Sequence, residues 1–189
     1  MRIAIDIDST LHHYWDILSR AARARFGVDL PYEQQITWGI TLLKPRQVQA
    51  CVEDTHRDAA ILDATPYPDA VETVRAWREA GHFIHITSHR AVSAQGATAT
   101  WLQEIGLPYD ELYCSMDKIA RCQEIGIDLL VDDSPVNIAR AVDAGIAVAT
   151  IRHPWNRDVC EDEDVVCAAD WAELRRELAP LLEPAHHEA

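Results

Sequence analysis

The chain has 189 residues, 48% hydrophobic and 25% charged, which suits a soluble globular protein with one domain and room for a modest insertion. A formal net charge of −14 repels the phosphate backbone of DNA and RNA, so nucleic acid is not an expected partner. No apolar run approaches the roughly 20 residues that cross a bilayer, and the opening Met1-Arg2-Ile3-Ala4-Ile5-Asp6 lacks the core of a secretion signal, so a cytoplasmic protein without membrane contact is expected.

In chain order, Ile3-Ala4-Ile5 reads as a short buried strand running into Asp6-Ile7-Asp8-Ser9-Thr10. Trp15, Leu18, Ala22 and Phe26 then recur at helical spacing up to Gly27, and Pro45 opens a second helix expected to reach Ile61. This stretch is too long for one crossover. Residues 12–65 are therefore read as a small helical cap inserted into a core of residues 1–11 and 66–182, with Pro66-Tyr67-Pro68 returning the chain.

From residue 69 one unit repeats: an amphipathic helix, a glycine that can end it in the left-handed conformation, then a β-rich segment. Val71, Val74 and Trp77 lead through Gly81 to Phe83-Ile84-His85-Ile86, and Trp101, Leu102 and Ile105 lead through Gly106 to Leu112-Tyr113-Cys114. Ile119, Cys122 and Ile125 lead through Gly126 to Leu129-Leu130-Val131, and Ile138, Ala139 and Val142 lead through Gly145 to Ile146-Ala147-Val148-Ala149. Strands alternating with helices imply an α/β fold whose parallel sheet is covered on both faces, here with five strands. A last helix is expected over residues 170–182 and a disordered tail over 183–189. Cys51, Cys114, Cys122, Cys160 and Cys167 are odd in number and form no CxxC pair, so reduced thiols are expected rather than a disulfide framework or a zinc site.

Ligands of open α/β sheets bind beyond the carboxyl ends of the strands. Those ends carry Asp6 and Asp8, then Thr87-Ser88-His89-Arg90, then Asp117-Lys118, then Asp132-Asp133. Facing carboxylates do not all stay ionised without a cation between them, and an all-oxygen ligand set suits Mg2+. A lysine and hydroxyl donors beside that cation make a place for a phosphate dianion. Asp6 and Asp8 lie two apart on an extended segment, which places one to attack phosphorus and the other to move protons. Each segment alone reads more readily as a turn, a helix cap or a solvated side chain; their recurrence at successive strand ends favours chemistry.

These segments resemble the haloacid dehalogenase-like (HAD) superfamily of phosphohydrolases: Asp6-Ile7-Asp8-Ser9-Thr10 matches the first motif, Thr87 the second, Lys118 the third and Asp132-Asp133 the fourth. Within it, the helical insertion, Thr87-Ser88, Asp117-Lys118 and His153-Pro154-Trp155-Asn156 are most similar to the 5′(3′)-deoxyribonucleotidase family. The resemblance implies a three-layer Rossmann-like fold with strand order 3-2-1-4-5, and an aspartyl-phosphate on Asp6 with Asp8 as acid and base. It implies Mg2+ held by Asp6, Asp132 and the backbone carbonyl of Asp8, with Asp133 either a further ligand or an acceptor behind the ligands. Thr87, Ser88 and Lys118 are implied to hold phosphate or substrate. Arg90 points toward the same mouth, either to pair with a substrate anion or as a surface arginine at a helix start. His12 and His13 either contact substrate or pack, and Tyr14 and Trp38 are candidates to stack on a base, Trp15 fitting the cap's own core better.

The expected partner is a small phosphorylated metabolite, with a nucleoside monophosphate ahead of a sugar phosphate, and the expected state a monomer or homodimer. An inactive phosphate- or nucleotide-binding protein is the alternative of another class. Ser9 departs from the pattern, which has glycine there, and puts the geometry of that turn in question.

Overall fold

The computed structural model describes residues 1–115 and 117–182, and the expected disordered tail lies outside them. Strand β1 (Arg2–Asp6) is followed by α1 (Tyr14–Phe26), α2 (Pro45–Thr55) and α3 (Asp58–Leu62). Then come α4 (Ala70–Glu79), β2 (Phe83–Ser88), α5 (Gln95–Glu104), β3 (Glu111–Cys114), α6 (Lys118–Glu124) and β4 (Leu129–Val131). The chain continues through α7 (Pro135–Asp143), β5 (Ala147–Ile151), β6 (Val165–Ala168) and α8 (Trp171–Leu182). No helix among the described residues is long and apolar enough to cross a membrane.

The strands form one parallel sheet in the order β3-β2-β1-β4-β5-β6. The expected five-stranded sheet is thus corrected to six strands. Strand β6 escaped the sequence reading because no glycine-closed helix precedes it: the connection from β5 is a loop with a 3₁₀ turn at Asp158–Glu161. The same strand corrects the expectation of five reduced thiols. It carries Cys167 back alongside that turn, where it is disulfide-bonded to Cys160 with the Cα atoms 5.3 Å apart. Cys51, Cys114 and Cys122 are free and buried.

Side chains alternate across β1, so its two faces feed two apolar layers. Ile3 and Ile5 pack with Val74 and Trp77 of α4, Trp101 of α5 and Trp171 and Leu174 of α8. Ala4 faces the other way, toward Ile119 and Cys122 of α6 and Ile138 and Ala141 of α7. A third cluster joins Trp15, Leu18 and Ala22 of α1 to Cys51 of α2 and to Trp155 in the loop after β5. Helix α1 ends as its spacing predicts: Gly27 has φ 66° and its N–H donates to the Arg23 carbonyl. The single helix expected from Pro45 to Ile61 is instead two, α2 and α3. The Thr55 hydroxyl donates to the Val52 carbonyl at 2.8 Å, a local bond that competes with continued helix.

Register places the site. Asp6 pairs with Thr87 across β1 and β2, and Ile5 pairs with Val131, one residue before Asp132. The chain runs outward to β3 on one side of β1 and outward to β6 on the other, so β1 and β4 flank the switch point at which such sheets open a crevice.

Candidate active site

Lys118 opens α6 and is buried, with its ammonium between two carboxylates. Nζ donates to Asp6 Oδ1 at 2.5 Å and to Asp132 Oδ2 at 2.7 Å. Asp132 is further fixed by the Ser134 N–H at 2.9 Å and by Asn137 Nδ2, 3.1 Å from both of its oxygens. Asp133 accepts from Trp155 Nε1 at 3.1 Å. Carboxylate oxygens of Asp6, Asp132 and Asp133 all lie within 4.8 Å of one another, and all three residues are buried. Three carboxylates against one ammonium leave two negative charges uncompensated, the charge of one divalent cation. Burial pushes Asp6 up to about 7 against the attraction of Lys118, with repulsion from Asp132 and Asp8 adding to the rise. Burial, then Asp6 and Asp132, hold Asp133 well above the usual carboxylate range. A cation in the cluster reverses this balance.

Thr87, the penultimate residue of β2, lies beside Asp6 in register, fully buried, and its Oγ1 has no hydrogen-bond partner among the described residues. A buried hydroxyl without a partner costs about 1–3 kcal/mol, which a bound oxyanion relieves.

Asp8 stands in a different setting. Arg90 grips its carboxylate with two donors, Nη2 to Oδ1 at 2.7 Å and Nε to Oδ2 at 3.1 Å. His12 Nε2 lies 3.0 Å from Oδ1, and the Ser88 hydroxyl donates to Oδ2 at 3.4 Å. Burial opposes ionisation, but Arg90 and His12 outweigh it and hold Asp8 well below the usual carboxylate range. Of the two readings of Arg90, neither a surface residue nor an open anion hook describes it: it is 3% exposed and spends its guanidinium on Asp8 and Thr98. His12 is packed, and the Ser88 hydroxyl is directed at Asp8 and the Arg90 N–H.

Ser9 adopts φ 64°, the left-handed conformation that glycine takes without cost. The turn is therefore retained with serine, at a local expense of about 1–2 kcal/mol. Its carbonyl accepts from His153 Nε2 at 2.7 Å, and Tyr32 Oη lies 2.7 Å from His153 Nδ1.

Above these groups is a cavity of about 470 Å³ whose floor includes Asp6, Asp8, Lys118 and Asp132. Tyr14, Trp38, Ile40, Val48, Val52 and Trp155 line its walls. Trp38 is 49% exposed, its ring 6.3 Å from Trp155, while Trp15 is buried in the α1 cluster. Tyr14 Oη bonds Thr55 at 2.8 Å. A larger groove of about 1070 Å³, with His13, Arg20 and Tyr67 on its walls, includes none of Asp6, Lys118 and Asp132.

Sequence reasoning missed Asn137, Trp155 as the partner of Asp133, and the clamp on Asp8. The spacing of Asp8 and His12 was a local signal; the other contacts join segments with no pattern between them.

Residues 1–180 match the family described as 5′ nucleotidase, deoxy (Pyrimidine), cytosolic type C protein. The chain belongs to that family. A Chlorobaculum tepidum protein provisionally named a 5′(3′)-deoxyribonucleotidase is 23% identical, over 91% of this chain and 87% of its own. A Bacillus cereus protein provisionally named a nucleotidase is 25% identical, over 92% and 96%. Among solved structures, a HAD family hydrolase from Deinococcus radiodurans with bound phosphate and sodium superposes with a TM-score of 0.69 at 19% identity, covering 97% of this chain and 98% of that one. A HAD hydrolase from Entamoeba histolytica superposes with a TM-score of 0.68 at 12% identity, covering 97% and 99%. These two likenesses establish the fold, and family membership identifies a phosphatase of the nucleotidase type.

Proposed function

We propose that this nucleotidase-family protein is a Mg2+-dependent phosphomonoester hydrolase that works through an aspartyl-phosphate on Asp6, with a (deoxy)nucleoside monophosphate as substrate. The observation that carries the reading is the meeting of Asp6, Lys118 and Asp132 on the floor of an aromatic-walled cavity, with the unpartnered Thr87 next to Asp6 in strand register. The donor set fits a hard divalent cation, because all its atoms are carboxylate oxygens and the surplus charge matches. Asp6 and Asp132 would hold it with the Asp8 carbonyl, and Asp133 as a ligand or behind one; when bound it neutralises charge developing on the phosphoryl oxygens.

The remaining chemistry is carried by the chain itself. Lys118 and Thr87 hold phosphate oxygens and offset repulsion between the Asp6 anion and the incoming dianion. An Asp6 oxygen forms a bond to phosphorus as the bond to the leaving oxygen breaks; Asp8, ionised between Arg90 and His12 before substrate arrives, takes up a proton from solvent as the dianion binds and passes it to that oxygen. Asp8 then takes a proton from the water that attacks phosphorus, and the bond to Asp6 breaks, releasing inorganic phosphate. Residues 12–65 act as a cap over a core of 1–11 and 66–182 and supply most of the apolar wall. That wall favours a substrate whose leaving group carries a flat ring, hence a nucleotide over a sugar phosphate.

A panel of phosphomonoesters assayed with Mg2+ tests this. Nucleoside monophosphates are expected to lead in kcat/KM, chelation to silence turnover, and Asp6→Asn to abolish it in a folded protein. A preference for sugar phosphates would remove the nucleotide assignment; absence of any turnover would favour a binding protein.

A further inference from the structure

We infer that Arg90 is a positioning residue of this site: its guanidinium, anchored from behind by Thr98, fixes the Asp8 carboxylate at the edge of the cavity, and it does not bind substrate. The inference rests on the proposed role of Asp8 in proton transfer. Its geometry is independent of that role. Arg90 and His12 are both buried, and neither lines the cavity, whereas Asp8 is 19% exposed and does. A substrate in the cavity therefore meets Asp8 and not the cation behind it.

The clamp is fully engaged. Nη2 and Nε take the two Asp8 oxygens as a planar fork, which fixes the plane of the carboxylate as well as its distance. Nη1 donates to Thr98 Oγ1 at 3.1 Å, and that hydroxyl donates in turn to the Ala94 carbonyl at 2.8 Å. The guanidinium is thereby tied to the start of α5, a rigid element. His12 Nε2 shares the Oδ1 acceptor with Nη2, and the 3.3 Å between the two nitrogens is the spacing of two donors aimed at one oxygen. His12 is itself held edge-on against Trp101, with centroids 5.6 Å apart. Only the Ser88 hydroxyl, at 3.4 Å, reaches Asp8 from the end of β2. Proton transfer demands tight placement of the donor oxygen, so loosening the fork is expected to slow turnover without weakening binding.

The test is a cycle of Arg90→Lys and Asp8→Asn, read as kcat and KM for a nucleoside monophosphate. Arg90→Lys keeps the charge but cannot fork. The expected result is a kcat lower by about tenfold to a hundredfold with KM within about threefold, and no further loss when Arg90→Lys is added to Asp8→Asn. A KM raised tenfold or more, or an undiminished Arg90 effect in the Asp8→Asn background, would mean that Arg90 meets substrate and would overturn the inference. Should Asp8→Asn itself keep full turnover, the role of Asp8 in the proposed mechanism fails. A silent Asp8→Asn beside a fully active Arg90→Lys overturns only the positioning role. If Arg90→Lys does not fold by circular dichroism, Thr98→Val carries the test: a several-fold loss in kcat at constant KM supports the clamp, and an unchanged kcat sinks it.

Discussion

The floor of the cavity, where Asp6, Lys118, Asp132 and Asp133 meet, is buried and charged; the walls above it, with Trp38, Ile40, Val48 and Val52, are apolar. The floor is fixed by short charge-assisted bonds between segments far apart in the chain, such as the pair joining residues 118 and 6. Much of the wall comes from residues 38–52, where Trp38 and Ile40 belong to an irregular stretch and Val48 and Val52 to α2, with Tyr14 and Trp155 added from either side in sequence. A charged floor cannot shift without exposing a buried carboxylate, so it suits fixed chemistry. An apolar wall tolerates repacking, so it suits selection of the leaving group. The loop after β5 joins the two: His153 bonds both the Ser9 carbonyl and Tyr32, and Trp155 bonds Asp133 and stacks on His153 with centroids 4.5 Å apart.

The contrast is broken most severely at the floor. Lys118→Ala leaves Asp6 and Asp132 facing each other, and at 4 Å and an effective dielectric near 20 one such charge is worth roughly 4 kcal/mol. Turnover should fall about a thousandfold in a steady-state assay with a nucleotide and Mg2+. Retention of a tenth of the activity would show that the ammonium is a structural counter-ion.

The joining loop should respond to pH. Burial lowers His153 from its ordinary 6.5 to about 4, so the neutral ring is the folded form. Between those values the unfolded chain binds the proton and the folded chain does not, so stability falls as pH drops from 6.5 to about 4, by up to about 3 kcal/mol. Urea unfolding at several pH values checks this, and His153→Gln should remove that share of the slope. An unchanged slope would place the acid sensitivity elsewhere.

The disulfide ties the far end of the same loop, at Cys160, to Cys167 of β6. Replacing Cys160 and Cys167 by serine should cost about 2 kcal/mol in thermal unfolding, as expected for closing a short loop, and leave kcat within about twofold. A collapse of activity would show that the edge strand holds Trp155 in place.

The smallest effect belongs to the wall. Trp38→Ala should raise KM for a nucleotide by about tenfold, a value within the range for losing one stacked base, with kcat nearly constant. Glycerol phosphate, which has no ring, should be insensitive. Equal losses for both substrates would move the base away from Trp38.

By itself the sequence determined which residues stand at the strand ends. Helix faces, glycine stops and apolar strands are local patterns, and they were enough to put Asp6, Thr87, Lys118 and Asp132 on one edge of a parallel sheet. Short-range pattern failed where no repeat announced the element, as with β6 between an acidic loop and α8, or where a side chain diverted the backbone, as Thr55 does between α2 and α3. The tertiary structure alone decided which way each polar group faces. Arg90 was visible beside the second motif, but only packing turned it onto Asp8, and only the loop from β5 brought Trp155 to Asp133 and His153 to Ser9. Hydrogen bonds between segments dozens of residues apart leave no periodic trace in the chain, because they depend on the three-dimensional path and not on spacing.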